Sequence, residues 1–146
     1  MKNTFIFLLA ISFIVACTSP NKSETESEED STEAVADGGV FFTNIKNGDT
    51  LTSPFLIEMG IEGMQVEPKG EVHEGFGHHH LLINNGFTPE GIVIIADSMN
   101  IHYGGGETSD SVSLNPGDYM LTLQFGEGNH VSYGEKWSQT INVTVE

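Results

Sequence analysis

Six histidines, His73, His78, His79, His80, His102 and His130, are the side chains of this sequence best equipped for chemistry. Three are consecutive in Gly77-His78-His79-His80-Leu81-Leu82, a string that leads into a β-strand pattern. On extended chain, residues two apart point the same way. His78 and His80 therefore share a face, and His79 opposes them. Two imidazoles so placed form a pincer for zinc or copper. His102 stands in Asn100-Ile101-His102-Tyr103-Gly104 at the mouth of a glycine-rich loop, and His130 in the loop from Gly126 to Tyr133. If these loops meet at one pole of the fold, His78, His80, His102 and His130 form one metal-binding cluster. The competing reading is that the imidazoles brace loops by donating ring N–H groups to backbone carbonyls. For His73 and His79 taken singly, that or solvent exposure is the expectation.

Other donors bear on which metal would be held. Met64 and Met99 read as loop residues and offer soft thioethers that suit Cu(I), whereas Met59 has the parity of a core position. His79, Glu107, Tyr133 and Met64 are the candidates for a supporting or additional role. Glu107 and Glu74 are the only carboxylates near enough in sequence to serve as a general base, should the site be catalytic. No nucleophile sits in a recognisable motif, and Gly104 to Gly106 precedes a strand, where a phosphate cradle would need a helix. The carboxylates are too scattered for a calcium loop. No catalytic residue is assigned, and catalysis without a metal is disfavoured.

The rest of the 146-residue chain decides where such a site would sit. With 21 acidic residues against 5 lysines and no arginine, the formal charge is -16. Counterion release at nucleic acid needs a basic surface, so nucleic-acid binding is excluded. Lys2 precedes an apolar run from Phe5 to Ala16, too short to span a bilayer at roughly 20 residues but suited to an export signal. The run ends in Ile14-Val15-Ala16-Cys17, which resembles the lipobox of bacterial lipoproteins. Cys17 is the only cysteine, so no intramolecular disulfide exists, and on this reading it is lipidated. Residues 1–16 are then the signal peptide, and residues 17–38 a lipidated cysteine with a disordered acidic linker. The acidic run also resembles the surface-export tag of some Gram-negative lipoproteins.

Residues 39–146 read as one domain: an all-β, immunoglobulin-like antiparallel sandwich of about seven strands. The candidate strands are 40–44, 55–61, 80–84, 92–96, 111–114, 119–125 and 139–145. Phe55, Ile57, Met59 and Ile61 alternate with outward residues, as do Tyr119, Leu121, Leu123 and Phe125. Asn115-Pro116-Gly117-Asp118-Tyr119 resembles the tyrosine corner of immunoglobulin-like domains.

Over nearly all of residues 39–146 the sequence also resembles the bacterial domain-of-unknown-function family 4399. The resemblance rests on Val40-Phe41-Phe42-Thr43-Asn44, Gly77-His78-His79-His80-Leu81-Leu82, Ile101-His102-Tyr103-Gly104 and Asn129-His130-Val131. It highlights the same histidines without assigning chemistry. The family's last motif has a second histidine where this chain has Tyr133, which implies either a phenol oxygen as substitute ligand or a site one ligand short. Glu107 likewise stands where an amide is usual.

Together these features describe a lipoprotein held through Cys17 to a membrane of the cell envelope, on its periplasmic side or at the cell surface. Its sandwich domain is expected to bind one copper or zinc ion through His78, His80, His102 and His130. The alternative is a non-catalytic module for an envelope protein or glycan partner, with structural histidines.

Overall fold

A computed structural model describes residues 38–146; the signal, Cys17 and most of the linker lie outside the described residues. Nine strands run in the order β1 (Gly39–Phe42), β2 (Thr50–Leu51), β3 (Phe55–Glu62), β4 (Gln65–Val66), β5 (Phe76–Ile83), β6 (Asn100–His102), β7 (Ser109–Val112), β8 (Gly117–Gly126) and β9 (Ser138–Val145). The only helical element among the described residues is a 3-10 turn at Glu135–Trp137. One sheet has the order β1-β3-β7, and the other β2-β9-β8-β5-β4 with β6 added to β5. Pairing is antiparallel except at β2 with β9 and β4 with β5.

The alternation of apolar residues dictates how the sheets stack. Val40, Phe42, Phe55, Ile57 and Met59 of the small sheet meet Leu81, Ile83, Leu121, Leu123, Phe125, Ile141, Val143 and Val145 of the large one in a single core. Burial of each such side chain contributes about 1.5–3 kcal/mol. Tyr119 forms the anticipated corner, its hydroxyl donating to the Asn115 carbonyl at 3.0 Å. The all-β sandwich expected from the sequence is the observed architecture, with short β2, β4 and β6 in addition.

One anticipated strand is absent. Residues 92–96 run instead along a long connection between β5 and β6, touching the β8–β9 loop through a single Val93–Val131 bridge. Of its apolar run only Ile94 is buried, while Ile92, Val93 and Ile95 are more than half exposed. A short apolar run reads as a buried strand, but here one residue alone packs inward.

This connection gives the large sheet two buried faces. His79, Leu81 and Ile83 point to the core between the sheets, and His78, His80 and Leu82 point the other way. The outer face is covered by the β5–β6 connection and the β8–β9 loop. Thr88 N–H donates to Gln124 Oε1, Gln124 Nε2 donates to the Gly134 and Trp137 carbonyls, and Ser132 Oγ donates to the Thr88 carbonyl. These bonds satisfy the polar groups of β8 beneath the cover.

Candidate metal centre

β5 carries the whole histidine triplet inside the sheet, fully buried, whereas the sequence pattern begins the strand only at His80. Its central position imposes the alternation, placing His78 and His80 on the outer face and His79 in the core. The neighbouring strands supply the rest of the site. His102 of β6 is the cross-strand partner of His80, so the two imidazoles project side by side from one face. On the other flank His78 lies opposite Gly126 of β8. A Cβ there would stand 2.9 Å from Ile94 Cδ1 and 3.4 Å from His80 Nε2, so the glycine leaves the space that the rings and Ile94 fill.

His130 arrives from the loop that follows. Its backbone is left-handed, with φ of 72°, a conformation that histidine tolerates better than most residues. The loop is closed by His130 N–H donating to the Glu127 carbonyl and Glu127 N–H donating to the Val131 carbonyl, both at 2.8 Å. Ile94 N–H donates to the His130 carbonyl at 2.9 Å, so the β5–β6 connection clasps the loop from outside.

The four rings converge. Every pair among His78, His80, His102 and His130 has centroids between 4.6 and 5.9 Å apart. His102 Nε2 lies 3.1 Å from both His78 Nε2 and His130 Nε2. Ligand nitrogens of His78, His80 and His102 can also be chosen that all lie within 4.8 Å of one another. As a hydrogen-bond network this is poor. One ring nitrogen has either one proton or one lone pair, so His102 Nε2 cannot serve both neighbours well. His78 Nδ1 and both ring nitrogens of His80 are buried with no hydrogen-bond partner. As a ligand set it is good. Nitrogens about 2.0–2.1 Å from one ion stand roughly 2.9 Å apart at a right angle and 3.3 Å apart at the tetrahedral angle. The observed 3.1 Å lies between these separations.

Burial favours the neutral form of His78, His80 and His102. Burial, then the neighbouring His102 and His130, push His78 down to about 4. Burial and the surrounding imidazoles push His80 down to about 2, and His102 is lowered for the same kinds of reason with Lys69 contributing. Neutral imidazole is the form that binds a metal.

The supporting candidates divide. Glu107 acts electrostatically on His78 and His102, while its Oε2 accepts from Gly105 N–H at 2.9 Å and so closes the turn at the cluster's mouth. Tyr133 does not join the cluster: its hydroxyl donates to the Phe76 carbonyl at 2.8 Å and its ring stacks on Phe125. Met64 packs against the hydrophobic core, and Met99 lies exposed on the β5–β6 connection. His79 contacts Phe125 in the core with both ring nitrogens unpartnered, so it braces nothing by hydrogen bonding, and burial lowers it to about 4. His73 is largely exposed and pairs with Glu67 Oε2 at 2.9 Å, which raises its pKa. Sequence reasoning missed Gly126, Ile94 and Lys69, whose places depend on pairings distant in the chain.

An all-β sandwich with a buried histidine cluster on the outer face of its larger sheet is the class that fold and site define. The chain belongs to the family described as Domain of unknown function (DUF4399), whose model matches residues 57–146 and so spans all five histidines from His78 to His130. No curated protein and no solved structure matches it.

Proposed function

We propose that this domain binds one transition-metal ion through His78, His102 and His130, with His80 as the fourth imidazole, and serves zinc or copper handling in the cell envelope. The observation carrying this reading is the contact of His102 Nε2 with both His78 Nε2 and His130 Nε2 at 3.1 Å, beside His78 Nδ1 and both His80 ring nitrogens, which are buried without partners. With Met64 in the core and Met99 exposed, the donor set is all imidazole, which favours Zn(II) or Cu(II) over Cu(I). Bound there, the ion would be held by nitrogen donors on two rigid strands and one loop. The lipobox ending at Cys17 supports attachment to an envelope membrane.

Elemental analysis of the untagged protein, followed by Zn(II), Cu(II) and Cu(I) titration against chelators, tests the reading. One equivalent should be retained against a nanomolar chelator and lost in both His78→Ala and His102→Ala while the circular dichroism spectrum is preserved. Absence of stoichiometric metal would refute it. A second reading, a protein-interaction module with structural histidines, draws on the exposed Ile92, Val93 and Ile95 beside the His130 loop. It predicts that the same substitutions destabilise the fold equally with and without metal.

A further inference from the structure

The described residues carry 14 carboxylates and only 3 lysines, yet one of those lysines lies against a cluster proposed to take a cation. Lys69 is exposed and belongs to the loop after β4. Its N–H donates to the Gly104 carbonyl at 2.9 Å, which ties its backbone to the turn following His102. Its Cδ is 3.0 Å from the point where a Cβ on Gly104 would stand, and Cε1 and Nε2 of His102 lie closer still to that point. The lysine stem and the imidazole edge are therefore neighbours over a residue with no side chain to part them. Among the described residues the Lys69 ammonium forms no ion pair. The nearby Glu107 carboxylate is turned to Gly105 N–H.

An ammonium here opposes cation binding by His78 and His102. A charge of the wrong sign kept at the mouth of a metal site fits a cargo that includes an anion. Resting on the metal-binding reading, we infer that the site takes a metal ion together with a small carboxylate, one oxygen of which meets the metal and the other the Lys69 ammonium. His78 and His80 are buried, while His102 and His130 are partly open, so the accessible side of the cluster is the side on which Lys69 lies. Lysine acts as a compact point charge, and a carboxylate's second oxygen is enough to engage it.

The test uses the untagged protein loaded with Co(II), read by its visible ligand-field bands, and titrated with sodium acetate at constant ionic strength. Wild-type protein and Lys69→Gln should each bind one equivalent of Co(II), and without acetate Lys69→Gln should bind it more tightly, because a repelling charge is gone. Acetate should shift the bands of both, with an apparent affinity about tenfold weaker in Lys69→Gln and largely restored in Lys69→Arg. Equal acetate affinities in wild type and Lys69→Gln, with one equivalent of metal in each, would overturn the lysine assignment and leave metal binding standing. Failure of both to bind Co(II), Zn(II) or Cu(II) would overturn the metal reading and this inference with it.

Discussion

Acidifying the metal-free protein should destabilise it before its carboxylates titrate. His78, His79 and His80 are fully buried, and burial holds them at about 4, about 4 and about 2, against 6.5 in an unfolded chain. A folded-state pKa lowered in this way means that the unfolded state binds more protons between these values. Stability is then fully present above 6.5 and lost as the pH falls toward 4. At pH 5 each unfolded imidazole is about 97% protonated, which favours unfolding by about 2 kcal/mol, while its folded counterpart stays neutral. Three such groups amount to about 6 kcal/mol, against a total of roughly 5–15 kcal/mol for a domain of this kind. Partial neutralisation of an acidic domain would relieve repulsion and act in the opposite direction, so the sign is diagnostic. Urea titration of chelator-treated protein at pH 7.5 and pH 5.0 measures the difference. His79→Leu should remove about a third of it, and should itself stabilise the fold by about 1–2 kcal/mol at pH 7.5 because no buried ring nitrogen is left unpaired. Equal wild-type stability at the two pH values, to within about 1 kcal/mol, would refute the assignment of these three imidazoles as neutral and buried.

Two further expectations concern placement. Gly104→Ala introduces a methyl group into the volume of the His102 ring; it should weaken metal binding by about 10–100-fold, read by chelator competition, with little change in the urea midpoint. Cys17→Ser should release the protein from the membrane fraction and abolish metabolic labelling with palmitate; retention of either in the variant would remove the lipid anchor from the account.

The sandwich was legible because its signals are local. Alternation at Phe55 to Ile61 and Tyr119 to Phe125, and the Asn115-to-Tyr119 corner, each span fewer residues than the strand they specify. The opposition of His79 to His78 and His80 follows from backbone geometry alone, and the structure bears it out. The convergence of His102 and His130 with that pair was a conjecture from sequence, because it depends on the register of β5 against β6 and β8. Neither Gly126, which matters through an absent Cβ, nor Lys69, fixed by one backbone bond to Gly104, announces itself in a string of letters. The misread segment 92–96 failed for a different reason. Its apolar residues carry the composition of a strand, yet the sheet edge beside β5 is already occupied by β6, and only Ile94 finds a cavity to fill.

His130 stands apart from the other three imidazoles in what holds it. His78, His80 and His102 are fixed by a continuous ladder of strand pairing, which opens only when the sheet does. The backbone of His130 is in the left-handed region, which costs roughly 1–2 kcal/mol, and it is kept in place by a few loop bonds and the clasp from Ile94. A captured ion would thus have two routes to freedom of very different height. The residence time of the cargo would be set by release of the His130 loop, with the two sheets beneath left paired.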